Sequence, residues 1–320
     1  MSIFEKLYTV FILLAVIIGI SAGQIEIIQI NAESFIVPLL VAMLYITFLQ
    51  IPIEKAKQAF RNIRFTYTTL LINFLWTPLL AWLLAYLFLG NQPALYIGFI
   101  MLMVTPCTDW YLIFTGIAKG NVALSTAILP VNLILQIILL PFYLLIFAGT
   151  TGAIELSILV ESVLLVLLLP LLLAMLTNWF LRNREQFSEH LLSKLSVLPV
   201  IFLCFAIIAM FASQGQLLLG NVDLMWQLLL PILLFFAVNF IVGQKTGQLL
   251  SFTYEDKASL NMTTLARISP IALAIAMTAF PDQPLIALTL VIGPLLELPI
   301  LAVITQILLL NMRKSTVANK

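Results

Sequence analysis

Apolar runs of about 20 residues, the length a helix needs to cross a hydrocarbon core roughly 30 Å thick, recur from one end of this chain to the other. They fall at 7–23, 34–53, 65–89, 94–117, 122–148, 155–180, 195–213, 223–243, 258–280 and 284–311, with short polar gaps between them. Of the 320 residues, 62% are apolar and 9% charged, too few polar groups to clothe a water-facing surface of ordinary composition. The pattern predicts an all-α polytopic membrane protein of ten transmembrane helices, with the lipid bilayer as solvent. No run is left over for a soluble domain.

The basic residues give an independent reading of topology, because cytoplasmic loops concentrate Lys and Arg. With the N-terminus inside, that side receives Lys6, Lys55, Lys57, Arg61, Arg64, Lys119, Arg182, Arg184, Lys194, Lys245, Lys257, Arg313, Lys314 and Lys320. Fourteen of the fifteen positive charges thus share one side, and Arg267 alone lies inside a run. Both termini are expected on the cytoplasmic side of the cell membrane. A cleavable signal peptide is the alternative for residues 1–23, which end in Ser21-Ala22-Gly23; its removal would leave nine spans. The net charge of +1 gives no sign of a nucleic-acid partner. Cys107 and Cys204 both sit in apolar runs, so no disulfide framework is implied, and no cofactor motif appears.

Matched interruptions in two halves mark the binding sites of many transporters, because discontinuous helices build them. Thr105-Pro106 in the fourth run and Pro130 in the fifth are 24 residues apart, and Ser269-Pro270 in the ninth and Pro294 in the tenth repeat that separation. Residues 1–150 and 151–320 therefore read as two five-helix repeats, and the odd number of spans makes the second inverted. Prolines are also common in ordinary membrane helices, but both breaks read Ser or Thr followed by Pro, the grammar of an N-cap and first helical position. Each Pro is expected to start a half-helix deep in the membrane, and two such N-termini, with free N–H groups, would favour anions, thiolates or oxygen-rich solutes.

Intramembrane ionisable groups are costly and point to function. Asp109 and Arg267 fall at compatible depths, slightly cytoplasmic of the middle of their spans, and form the expected pair. It is either a permanent bridge between the broken helices or one that opens when substrate or proton arrives. Cys107, placed second in the half-helix that starts at Pro106, would have its thiolate favoured by the helix dipole; Thr108 lies between it and Asp109. Cys204, within Phe202-Leu203-Cys204-Phe205, reads as ordinary packing. Glu297, between Gly293-Pro294 and Pro299, is either a proton carrier or a protonated structural carboxyl. Asn132 and Gln136, one helical turn apart, are either interhelical glue or site lining. Asn73, Asn239 and Glu161 are weaker candidates, Glu161 lying close to the outer surface.

Three motifs resemble the arsenite permeases of arsenical resistance, within the wider superfamily of bile acid:sodium symporters. Cys107 lies eleven residues before the Ala of Ala118-Lys119-Gly120; Asn132 and Gln136 form Asn-x-x-x-Gln; and Gly293-Pro294-Leu295-Leu296-Glu297-Leu298-Pro299 matches a tenth-span signature. The likeness covers essentially the whole chain and is strongest over 98–148 and 258–311. The symporter branch is similar around Pro106 and through Ala118-Lys119-Gly120-Asn121-Val122-Ala123-Leu124-Ser125. The resemblance implies a ten-helix inverted-repeat fold with crossed fourth and ninth helices and a functional Cys at 107. This chain departs from it at Pro106, where the permeases usually carry Arg, and at Ala272, opposite their ninth-span Glu. It also has Tyr111-Leu112 opposite the symporters' sodium-ligating Ser-Asn pair, and no counterparts of their ninth-span Glu and Gln around Arg267, which argues against sodium coupling.

Three functions follow. The first is efflux of arsenite or antimonite, with Cys107 as a transient soft ligand for the metalloid and Asp109 or Glu297 carrying the driving proton. The second is transport of an organic anion held by the half-helix N-termini and Arg267. An intramembrane enzyme or sensor is the third, but His190, the sole histidine, lies in a loop, so no His-based triad or permanent metal site can form in the membrane.

Overall fold

The computed structural model describes residues 3–50, 56–107, 110–148, 156–181, 197–220, 222–267 and 270–318. Its elements are all helices among the described residues, as a lipid solvent requires, because a helix satisfies its own backbone polar groups within one segment. In chain order these are α1 (Ile3–Ala22), α2 (Glu26–Gln50), the short α3 (Ala56–Ala59), α4 (Ile63–Leu71), α5 (Thr77–Leu89), α6 (Pro93–Val104), α7 (Trp110–Ile117) and α8 (Val122–Tyr143). There follow α9 (Leu156–Val163), α10 (Leu169–Leu181), α11 (Leu198–Gly220), α12 (Val222–Leu249), α13 (Tyr254–Leu265), α14 (Pro270–Ala279) and α15 (Pro284–Ala318).

Among the described residues, seven segments are long and apolar enough to cross a membrane: Glu26–Gln50, Ile63–Leu89, Val122–Phe147, Leu198–Gly215, Trp226–Leu249, Tyr254–Ala279 and Pro284–Met312. Pro93–Val104 and Leu164–Phe180 are shorter apolar helices. The fourth expected span is divided: α6 ends at Val104 and α7 begins at Trp110, so neither piece crosses alone. Large apolar side chains such as Ile27, Phe35, Tyr86 and Trp179 stand on the outer surface, as they do where lipid replaces water.

Without a hydrophobic force between helices in lipid, close packing holds them together. Helices α1 and α11 approach at small residues: a Cβ on Gly23 would lie 2.4 Å from the Ala212 carbonyl oxygen, and one on Gly19 2.7 Å from that of Ile208. Helix α11 also packs along α2, which in turn packs against α10. The broken helices occupy the interior. Leu95 to Val104 on α6, Ala258 to Leu265 on α13 and Pro270 to Ala276 on α14 are all buried. Helix α6 packs on α15 where a Cβ on Gly293 would meet Leu102 at 2.4 Å. Helix α13 buries four polar side chains, Ser259, Asn261, Thr263 and Thr264. Burying hydroxyls and amides is costly unless they bond, and that draws attention to its C-terminal end.

Candidate functional site

Two chain breaks meet at this end. Helix α6 stops at Val104, Thr105 turns to an extended conformation, and Pro106 and Cys107 are non-helical. Helix α13 stops at Leu265 with Ala266 extended, and the chain resumes as α14 at Pro270. The Cys107 N–H donates to the Ala266 carbonyl at 3.0 Å. Proline explains why this oxygen is available: in a continuous helix it would accept from residue 270, which has no N–H. One break thus supplies the donor that the other lacks.

The remaining backbone groups of the break can be followed individually. The Thr263 carbonyl accepts from Asn73 Nδ2 at 3.5 Å, and the Thr264 carbonyl accepts from Arg267 Nη2. The Arg267 N–H donates to Glu297 Oε1 at 2.6 Å. A buried carboxyl on α15 therefore holds the backbone of the break, and both Arg267 and Glu297 are at most 1% exposed.

Arg267 reaches across to the third hydrophobic run. Its Nη2 donates to Asn73 Oδ1 at 2.7 Å and to Thr77 Oγ1 at 3.4 Å, and its guanidinium carbon lies 5.8 Å from the centre of the Phe235 ring. Its Nε and Nη1 meet no hydrogen-bond acceptor among the described residues. Among the described residues, Glu297, Cys107 and Tyr143 are ionisable groups that interact electrostatically with the guanidinium. Asn73 lies in a π-helical turn, Ile72–Trp76, a local widening often found at functional sites. Pro78, following that turn, cannot donate to the Phe74 carbonyl; the Tyr143 hydroxyl does so instead. Trp76 Nε1 donates to Asn239 Oδ1 at 2.9 Å, while Asn239 Nδ2 has no partner among the described residues.

Cys107 is 4% exposed, and its Sγ accepts the Trp110 N–H at 3.2 Å. The sulfur thus meets the first amide of α7. Pro106 and Cys107 are themselves non-helical, which corrects the expectation that the half-helix starts at Pro106 with Cys107 as its second residue. Thr105 Oγ1 instead bonds back to the carbonyls of Met101 at 2.8 Å and Leu102 at 3.2 Å, closing α6. The Leu102 oxygen is the one that Pro106 leaves without a helical donor. Sulfur, not the threonine hydroxyl, faces the start of α7.

Asn132 and Gln136 are buried on α8, and neither nitrogen nor oxygen of the Asn132 amide has a partner among the described residues. At 3.6 residues per turn, Asn132, Gln136 and Tyr143 fall on one stripe, and the Tyr143 hydroxyl reaches the turn that carries Asn73. Thr108, Asp109 and Ser269 lie outside the described residues, and with them the expected Asp109 and Arg267 pair; His190 does too. Glu161 is exposed and Cys204 half-buried, and neither is among the residues bonded at the two breaks. Sequence reasoning ranked Asn73 low and passed over Thr77, Tyr143 and Phe235. The spacing of Asn73 five residues before Pro78 was the available signal, since it places a polar side chain beside a freed carbonyl.

Comparison with known proteins gives a match to the sodium bile acid symporter family over residues 37–221. The arsenical-resistance protein Acr3 of Corynebacterium glutamicum is 24% identical, over 94% of this chain and 87% of its own length. An arsenical-resistance protein Acr3 of Alkaliphilus metalliredigens is 22% identical, over 95% and 92% respectively. The probable sodium/metabolite cotransporter BASS2, chloroplastic, of Oryza sativa subsp. japonica is 23% identical, over 89% and 66%.

Proposed function

The chain belongs to the sodium bile acid symporter family and is a membrane transporter, not an enzyme, and from this premise we propose that it exports arsenite or antimonite in exchange for protons. The observation that carries the proposal is the Cys107 sulfur at the start of α7, accepting the Trp110 N–H beside the break at Ala266. Thiolate sulfur is the soft ligand that a trivalent metalloid takes. A single thiolate suits transport, because the ligand must leave again. The near-full-length likeness to two arsenical-resistance proteins supports the same reading.

In this reading ten spans form two inverted five-helix repeats in the cell membrane, with both termini cytoplasmic and the crossing near the midplane. Glu297 carries the proton. Its carboxylate holds the Arg267 N–H, and protonation weakens that bond and loosens the break. Asp109 is a second proton site, and Thr108, Asn132 and Gln136 line the path. In a host lacking its own arsenite efflux, the wild-type chain should confer resistance and Cys107→Ser should not. Resistance that survives the substitution would remove the mechanism.

One observation favours a second substrate class. The unpartnered Nε and Nη1 of Arg267 suit an organic anion. In that case Arg267→Ala would abolish uptake of the anion while Cys107→Ser left it intact.

A further inference from the structure

The crossing presents two chemically different attachment points, and inorganic arsenite uses only one of them. Cys107 offers sulfur at the start of a half-helix. The other point is a fully buried guanidinium whose Nη2 is satisfied by Asn73 and the Thr264 carbonyl while Nε and Nη1 have no acceptor among the described residues. The two are linked through one backbone hydrogen bond, from Cys107 to the residue that precedes Arg267.

A buried cation with unpaired donors costs free energy unless something accepts from it. The neutral hydroxyls of arsenite are weak acceptors for a guanidinium, whereas a carboxylate bonds it strongly. Asn73 on the π-helical turn and Thr77 just after it hold one end of the guanidinium, and Phe235 covers it, so the cation is fixed in place rather than free to fold away to water. Its position is prepared before any ligand arrives, which lowers the ordering cost of binding.

We propose that the site takes trivalent organometalloids that also carry an anionic group, held by Cys107 at the metalloid and by Arg267 at the anion. This rests on the metalloid reading above and extends its substrate class. The step at sulfur is a ligand exchange without oxidation or reduction. The Cys107 thiol adds its sulfur to arsenic in R–As(OH)2, one As–O bond breaks, and the thiol proton leaves with the departing hydroxide as water, giving R–As(OH)–S–Cys. Release is the reverse reaction with water. The anion on R forms no covalent bond and accepts from Arg267 Nε or Nη1.

The test is binding to the purified full-length protein in lipid nanodiscs, read by tryptophan fluorescence and calorimetry. The probes are inorganic arsenite and two acids, carboxymethylarsonous acid and 4-carboxyphenylarsonous acid, each beside its uncharged primary amide. In the wild-type protein at least one acid should bind about tenfold more tightly than its amide, the scale of one charge-assisted hydrogen bond. Arg267→Gln should erase that ratio, judged acid against amide on the same variant, and Arg267→Lys should keep part of it, since lysine is a point charge without the planar fork. Cys107→Ser should abolish binding of all five probes. If neither acid outbinds its amide in the wild-type protein, the two-point ligand is overturned without any variant having to fold. A ratio that survives Arg267→Gln overturns it also. Arsenite binding unaffected by Cys107→Ser instead overturns the metalloid reading on which it rests.

Discussion

The amide of Cys107 donates to the carbonyl of Ala266, residues from opposite halves of the chain, because Pro270 leaves that oxygen without a helical donor. The two discontinuities are thus joined by one backbone bond. Pro270→Ala restores an N–H that competes for the Ala266 oxygen and favours a continuous helix. Transport should fall about tenfold or more, with thermal stability held or raised, because removing proline from a helical path relieves roughly 3 kcal/mol of penalty. Substrate flux and thermal unfolding measured on the same preparation check this. Full transport with a raised unfolding temperature would show that the break is dispensable.

Glu297 Oε1 accepts the Arg267 N–H, and two substitutions separate its structural part from the proton-carrying part proposed for it. Glu297→Gln keeps an acceptor oxygen and cannot titrate, so the protein should remain folded while its transport rate loses its dependence on the proton gradient. Glu297→Ala leaves a buried N–H without an acceptor and should cost about 1–3 kcal/mol of stability. The pH profile of transport, with unfolding in detergent, distinguishes them. A Glu297→Gln protein with the wild-type pH profile would exclude this carboxyl as the carrier.

Asn73 bonds both the guanidinium of Arg267 and the Thr263 carbonyl. Asn73→Ala removes both and should destabilise by about 2 kcal/mol, the scale of a hydrogen bond to a buried charged group. Asn73→Asp instead places a carboxylate against the guanidinium. It should recover stability and weaken any preference for anionic ligands, since the new charge occupies the cation. Unfolding temperature and ligand affinity report the two effects separately.

The Tyr143 hydroxyl donates to the carbonyl of Phe74, which Pro78 leaves without its helical donor. Tyr143→Phe should cost about 1–2 kcal/mol, because it strands a carbonyl acceptor and leaves the ring in place. A stability unchanged within about 0.5 kcal/mol, typical of substitutions away from such features, would show that another donor takes over.

Much of the membrane character was legible in the sequence, because lipid demands uninterrupted apolar length and the chain supplies it. The breaks were also legible, since Pro106 and Pro270 remove donors at matching positions. The assignment of caps was not. Thr105-Pro106 has the grammar of an N-cap, but the threonine hydroxyl reached the nearer free carbonyl at Leu102 and left the new helix to Cys107 Sγ. Local pattern gives two equivalent uses for such a hydroxyl, and only the path of the chain decides between them. The partners of Arg267 were hidden for a different reason. Asn73 is 194 residues away from it in sequence, and no periodicity within one helix reveals which polar group on another it will meet. The sequence pattern pairs Arg267 with Asp109, which lies outside the described residues. The structure gives Glu297 to the Arg267 backbone and Asn73 to its side chain.

The most direct test of the account is arsenite accumulation by everted membrane vesicles, comparing the wild-type chain with Cys107→Ser at equal protein levels. Serine retains an oxygen able to accept the Trp110 N–H, so that contact and the fold should persist while the soft ligand is lost. The account predicts proton-driven accumulation by wild-type vesicles and accumulation no greater than that of empty vesicles for Cys107→Ser. Equal accumulation by the two would contradict it.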